Sequence, residues 1–292
     1  MIRIFIVGYQ RSGTTLLQSL LGAHDMLATF SESHLFKAAF RTWRVYRPVY
    51  KRRGPITPKV EKFLHENGLQ ALGKSDAARA LQAIDTRKWV SGIELAEAIL
   101  TLFDQIAIFQ EKPGWLEKTP QHLYYCDLIA AAAPTAHFVH IARQGEDAVA
   151  SLVVHGPKWK NGHIYASPIR SARLWNTELK RSLKYANHPQ HHFVTYEDLT
   201  EQTKSEVNRL VGELGLPPNP HLFERYQNIA RHVVLPEESW KALNDQSIQK
   251  RSTAREVFKE SERVKVQEVL NLDLYEWFRQ LARGGREFPP ES

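Results

Sequence analysis

Residues 2–15 read IRIFIVGYQRSGTT, and the folding of this stretch decides the architecture. Ile2 to Val7 is a short apolar run rich in β-branched residues and stopped by Gly8, the pattern of a buried strand. A polar turn and a second glycine, Gly13, follow. Thr14 to Ala23 then carries Leu16, Leu17, Leu20 and Leu21 on one face, the spacing of a helix. Strand, glycine turn and helix in that order make the first half of a βαβ unit. The turn has the outline of a phosphate-cradling loop. Its glycines admit backbone N–H groups to an anion, and the helix start adds its positive dipole end. The P-loop of nucleoside triphosphatases would place lysine where this chain has Thr14. Here the cation, Arg11, sits in the middle of the turn instead, with Thr14 and Thr15 supplying hydroxyls.

The same alternation returns in the middle of the chain. Leu123 to Ala133 reads as a helix stopped at Pro134, His137 to Ala142 as a second strand and Asp147 to Val154 as a helix. Residues 169–187 form a helix containing Trp175, His192 to Tyr196 a third strand, and Ser205 to Leu214 a helix ended by Gly215. Strands separated by helices predict a three-layer α/β fold, a central, mostly parallel sheet flanked by helices. Residues 33–53 place Phe36, Phe40, Trp43, Tyr46 and Tyr50 at spacings of three and four beside a basic stripe. That spacing predicts a helix kinked near Pro48. Further helical patterns run to residue 110, one of them (91–109) capped by Ser91. The expectation is one domain over 1–282 with a helical insertion at about 33–110, a helical C-terminal part around 260–282, and a disordered tail at 283–292.

Three stretches carry chemistry besides the first turn. In HIARQGEDAVAS, Arg143 leaves the second strand and Ser151 follows within the next helix, so both can reach one anion beside the carboxyl end of that strand. Ligands of open α/β sheets bind at such ends. In WLEKTPQHL, Pro120 holds Thr119 extended and suits the start of a helix, which fixes Lys118 at a strand or loop end. In SESHLF, Glu32 and His34 follow the first helix closely enough to stand near the anion loop, as candidates for a proton-accepting base.

GYQRSGTTLLQSLLGAH, SESHLF, WLEKTPQHL, HIARQGEDAVAS and FVTYEDL, in this order, resemble the sulfotransferases that use 3′-phosphoadenosine 5′-phosphosulfate (PAPS). The likeness is greatest to the branch that includes tyrosylprotein and bacterial sulfotransferases. It spans residue 2 to about 216, with a weaker echo at Trp240 and Lys241. The resemblance implies a P-loop-like fold, PAPS as sulfuryl donor, its 3′,5′-bisphosphate (PAP) as product, and no metal. It implies that Arg11, Ser12, Gly13, Thr14 and Thr15 bind the 5′-phosphosulfate, with Arg11 in place of a cation that is often lysine in relatives. Arg143 and Ser151 match the pair that binds the 3′-phosphate, and Tyr196 matches a cofactor-binding tyrosine. Lys118 matches a lysine that stabilises charge near the sulfuryl group. Glu32 lies where several relatives keep a general base, with His34 the second choice. The Arg-Lys-Gly cluster that relatives often carry for the 3′-phosphate is missing, and Lys250, Arg251 and Arg255 are the substitutes at hand. Trp115 stands between adenine partner and core residue. The stretches 36–53 and 155–162 are candidates for the acceptor site, a small molecule or glycan.

Composition bounds the alternatives. Apolar residues make up 42% and charged residues 24% of the 292, the balance of an ordinary globular protein with a sizeable core. The single cysteine, Cys126, leaves no internal disulfide and no cysteine-built metal site. No run approaches the ~20 apolar residues that span a bilayer, and Ile4 to Val7 is too short for a signal peptide. A cytoplasmic protein is expected. The net charge of +7 suits phosphorylated ligands and equally nucleic acid, but the basic residues are dispersed, so no nucleic-acid partner is expected. A P-loop-type kinase is the alternative enzyme, and Thr14 in the lysine position counts against it.

Overall fold

The Ile2–Val7 run forms the middle of the sheet. The computed structural model describes residues 1–43, 49–52, 55–86, 91–159, 162–233, 248 and 253–285. Strand β1 (Ile2–Gly8) lies between β5 (Gly114–Lys118) and β6 (His137–Ala142). β2 (Leu27–Thr29) and β7 (His191–Thr195) take the two edges, in the order β2-β5-β1-β6-β7. All four pairings are parallel. The register sets Ile6 beside Lys118, Gly8 beside Ile141 and Ala142 beside Thr195. Every strand therefore ends on one edge.

β1 is buried on both faces because helices cover both. Phe5 and Val7 point into one core with Trp115, Phe138 and Phe103. Ile4 and Ile6 point into the other, against Leu17 and Leu20 of α1 (Thr14–Gly22), Leu116, Val139 and Val194. This is the period of two that a strand imposes. The first core is covered by α5 (Gly92–Phe109), α6 (Cys126–Ala132), α8 (Pro168–Leu183) and α14 (Leu272–Ala282). The second is covered by α1, α10 (Thr203–Glu213) and α11 (Leu222–Val233). The fold is the three-layer α/β architecture expected, with a parallel sheet.

The expected helix over 33–53 is not one. Leu35–Ala39 makes a short helix, α2, and the chain then turns into an antiparallel hairpin of β3 (Phe40–Trp43) and β4 (Val49–Arg52). The β-branched and aromatic residues of FRTW and VYKR suit strands, and their antiparallel pairing overrides the i,i+3 and i,i+4 aromatic spacing. Phe36 and Phe40 are core residues. Pro48 and the tail from 286 lie outside the described residues. α3 (Thr57–Glu66) and α4 (Asp76–Thr86) complete the insertion. Ser91 caps α5 as expected, accepting from Glu94 N at 3.0 Å. The predicted helix from Leu123 starts instead as a 3₁₀ turn over Pro120–Tyr125 before α6.

Gly8 tightens the sheet where it meets the anion loop. Its φ of +142° is open to glycine alone, and a Cβ there would stand 2.3 Å from the Ile141 carbonyl oxygen. Gly8→Ala is expected to destabilise the fold by about 3 kcal/mol, read as a lowered urea midpoint; an unchanged midpoint contradicts the close approach.

Candidate active site

The carboxyl edge of the sheet gathers one polar group from each strand. β1 runs into the anion loop, β2 leads to Glu32, β5 ends on Lys118, β6 on Arg143 and β7 on Tyr196. β1 is the switch point of the sheet, since the chain leaves it for β2 and β5 on one side and later takes β6 and β7 on the other. A ligand crevice forms at such a point.

The loop after β1 is wound for an anion. Arg11 has φ +70° and Gly13 φ +91°, both left-handed. Gly13 lets the Tyr196 ring pack so closely that a Cβ would lie 2.5 Å from its Cδ2. α1 starts at Thr14 with no side-chain cap and no acidic residue in its first turn, so its first N–H groups stay available. Ser12 is fully buried, and its Oγ has no hydrogen-bond partner among the described residues. A buried hydroxyl without a partner costs about 1–3 kcal/mol, and an oxyanion in the loop would remove that cost.

Next to the loop stands a chain of charges. Lys118 is 1% exposed, and its Nζ donates to Thr15 Oγ1 at 3.3 Å and to Glu32 Oε1 at 2.5 Å. The other oxygen of Glu32 lies 3.3 Å from His34 Nε2. His34 has φ +53° and is, after Arg11, the second non-glycine site residue held in the left-handed region. Such backbone strain persists where the surroundings over-determine it. Burial pushes the His34 imidazole down to about 4, against the pull of Glu32, so the ring is neutral at pH 7.

Glu117 holds this group from behind. It is fully buried, and its Oε1 accepts from Ser33 Oγ (2.9 Å) and Thr119 Oγ1 (2.6 Å), its Oε2 from His122 Nδ1 (2.8 Å). Thr119 Oγ1 in turn accepts from His34 N at 3.3 Å. One carboxylate thus locks the Glu32–His34 loop to the end of β5. Burial acting alone would raise the Glu117 carboxyl. The imidazole of His122 and the hydrogen bonds from His122, Thr119 and Ser33 outweigh it and hold the group below the usual glutamate range.

On the other side of the loop, Arg143 is 6% exposed and its guanidinium lies 4.6 Å from the Tyr196 ring centroid. It donates to Arg11 O and to Thr253 Oγ1, each at 3.4 Å, while Arg11 Nε donates to Ser151 Oγ at 3.1 Å. Ser151 stands on α7 (Gly145–His155), whose Asp147 Oδ1 accepts from Thr253 N (2.7 Å) and Ala254 N (2.9 Å). Two interactions fix the Arg143 turn: Trp175 Nε1 donates to Arg143 O at 3.1 Å, and Gln144 N donates to Glu197 Oε1 at 3.1 Å.

The sequence-predicted residues therefore come together: Arg11, Ser12, Gly13, Thr14, Thr15, Glu32, His34, Lys118, Arg143, Ser151 and Tyr196 share one edge. Arg11 joins the two expected anion positions by reaching Ser151. Trp115 is a core residue, fully buried against Phe5 and Phe103, with its Nε1 on Asp104. Arg255 stands exposed on α12 (Ala254–Val257), and Lys250, Arg251, Trp240 and Lys241 lie outside the described residues. Glu117, His122, Asp147 and Thr253 escaped the sequence reading. The motifs WLEKTPQHL and GEDAVAS contain the first three, but nothing in them shows that buried partners select those carboxylates, and Thr253 lies in no motif. No cluster of His, Cys, Asp and Glu among the described residues could hold a metal ion.

A sequence model of the sulfotransferase family matches residues 3–220, well over half of the chain. The chain belongs to the sulfotransferase family. Its backbone is similar to the sulfotransferase domain of the olefin synthase of Synechococcus PCC 7002, at 18% identity and TM-score 0.54, covering 99% of this chain and 96% of that one. The sulfotransferase domain from the curacin biosynthetic pathway matches at 19% identity and TM-score 0.54, covering 99% of both chains. A sulfotransferase of Mycobacterium tuberculosis matches at 17% identity and TM-score 0.51, covering 78% of this chain and 71% of that one. An uncharacterized protein of Aquifex aeolicus is 24% identical over 231 residues, 77% of this chain. The chain spans only 27% of the length of that curated relative.

In this member of the sulfotransferase family the buried Glu117 network makes a stability prediction. Its folded carboxyl is held below the usual glutamate range, so its contribution is present above that range and is lost as pH falls through the depressed one. Glu117→Gln should lower stability at pH 7 by about 3 kcal/mol and flatten the acid limb of a denaturation series. Identical acid limbs in the two proteins contradict the network.

Proposed function

We propose that the chain transfers a sulfuryl group from PAPS to a hydroxyl or amine of a small-molecule, carbohydrate or lipid acceptor, within one domain over residues 1–282. The observation that carries this reading is Lys118. A single buried ammonium touches both the anion loop, through Thr15, and the candidate base Glu32. Donor and acceptor chemistry thus meet at one side chain.

The residues present fit the donor. The unpartnered Ser12 hydroxyl, the Gly13 cradle and the uncapped start of α1 suit the 5′-phosphosulfate, together with Arg11, Thr14 and Thr15. Arg143, Ser151 and Tyr196 suit the 3′-phosphate side of the nucleotide, with Thr253 beside them. When bound, PAPS supplies the sulfuryl group: its sulfur–oxygen bond to the 5′-phosphate breaks as the acceptor oxygen–sulfur bond forms, and the electron pair leaves on PAP.

The chain's own residues handle charge and protons. Lys118 and Arg11 neutralise negative charge growing at the 5′-phosphate oxygen, in a buried setting where such contacts are strong. Glu32 accepts the acceptor's proton on its carboxylate. His34, neutral and in contact with Glu32, is the second acceptor for that proton. Glu117 orients both groups through Ser33 and Thr119. The reading carries with it a cytoplasmic location, in keeping with a lone buried cysteine.

Two experiments test the reading. PAP should raise the melting temperature and ATP with Mg²⁺ should not; stabilisation by ATP–Mg²⁺ alone would return the chain to the kinase reading. With PAPS and an accepted substrate, Glu32→Gln should cut turnover by ~100-fold and leave PAP affinity nearly unchanged, whereas full activity moves the base to His34.

A further inference from the structure

A cavity of about 200 Å³ opens between the 3₁₀ turn Pro120–Tyr125, the turn Gly162–Ala166 and helix α8. Its wall includes Gln121, Tyr124, Ile164, Tyr165, Leu174 and Glu178. A cavity of ~150 Å³ holds a benzene ring, so this one admits a single ring with a short side chain. It adjoins the transfer site. The Tyr9 hydroxyl, from the anion loop, donates to the carbonyl oxygen of Ser171 at 3.1 Å, and Ser171 also lines the cavity. The Tyr165 phenol stands near Gln10, next to Arg11, and near Gln121, three residues beyond Lys118. Lys37 acts electrostatically on both His34 and Glu178.

Glu178 is the group the fold itself does not explain. It is 4% exposed, and its Oε1 accepts from Tyr124 Oη at 2.9 Å. Arg181 and Lys37 act on it only through space. Burial pushes its carboxyl up to about 8, so the group is mostly protonated at pH 7. A glutamine would satisfy Tyr124 equally well. A carboxyl is the better choice when a cation is to arrive, because direct contact in a buried site far outweighs charges further off. The Tyr165 ring stands in the same wall, and aromatic faces attract ammonium groups; the Tyr124 ring already has the Arg181 guanidinium 4.8 Å from its centroid. Ile164 and Leu174 offer an apolar wall between, and Arg170 is exposed to water.

We propose that this cavity seats the acceptor and that the acceptor is a small hydroxylated amine, its ammonium group paired with Glu178 and its hydroxyl turned toward Glu32 and Lys118. The hydroxyl end of the proposal rests on the sulfuryl-transfer reading. The ammonium end rests on the cavity alone.

The test is calorimetric titration of the protein, with and without saturating PAP, using 4-(2-aminoethyl)phenol and its uncharged counterpart 4-propylphenol. The amine should bind tighter by about tenfold or more, the scale of a partly buried charge contact. Glu178→Gln should abolish that preference while PAP affinity stays as in the wild type, which also shows that the variant is folded. Ile164→Trp, which fills the cavity, should weaken both phenols. Equal affinity of the two phenols for the wild type, or a preference that survives Glu178→Gln, overturns the proposal, and the first comparison needs no variant. If PAP fails to bind while the Glu178-dependent preference holds, the cavity assignment stands and the sulfuryl-transfer reading falls. If PAP binds and the preference is missing, only the cavity assignment falls.

Discussion

The parallel register around β1 is the constraint on which everything else depends. β1 pairs with β5 on one side and β6 on the other, so closely at Gly8 that a methyl group would collide with the Ile141 carbonyl. That register brings the ends of five strands to one edge. Each strand then needs no more than three further residues to deliver its group: Arg11, Glu32, Lys118, Arg143 or Tyr196. A slip of one residue would turn Lys118, which lies opposite Ile6, away from the loop and into a core. The chemistry is thus a property of the sheet before it is a property of any loop.

Burial sets the cost of this arrangement and also its usefulness. Lys118 and Glu117 are neighbours in a fully buried strand and point to opposite faces. Neither charge would be tolerated there unpaired. Lys118 is matched by Glu32, Glu117 by His122 and two hydroxyls, and the two pairs meet again through Thr119 and His34. Because the pairs share these residues, the geometry at Glu32 is tied to the integrity of the buried network around Glu117. On the far side, Arg143 is held by Tyr196, Arg11 and Thr253 in a comparable way. The site is therefore preorganised by residues whose work is mutual orientation.

Much of this was legible from the residues, for identifiable reasons. β1, α1, β6 and α7 carry strong periodicity and glycine punctuation, so Arg11 to Thr15, Arg143 and Ser151 could be placed at strand ends. β2 is three residues long and leaves no periodic trace, so in the sequence Glu32 is located only by its distance after α1. β5, GWLEK, hides because two charged residues in a fully buried strand read as surface. The same disguise concealed Glu117 and His122. The hairpin after α2 differs from the helix expected there because aromatic residues three and four apart in sequence also favour strands, and spacing alone does not choose between the two. Glu178 looks like one more polar residue on an amphipathic helix, and only the packing of Tyr124 against it shows otherwise.

The central claim is that one nucleotide bridges the Arg11 loop and Arg143, with a phosphate at each. The most direct measurement is the affinity ratio of PAP to adenosine 5′-monophosphate, which lacks the 3′-phosphate, by isothermal titration at fixed ionic strength. The account predicts that PAP binds tighter by about 10- to 100-fold, the scale of charge-assisted hydrogen bonds from a buried arginine, and that Arg143→Ala brings the ratio close to one. Equal affinity of the two nucleotides for the wild-type protein would contradict it.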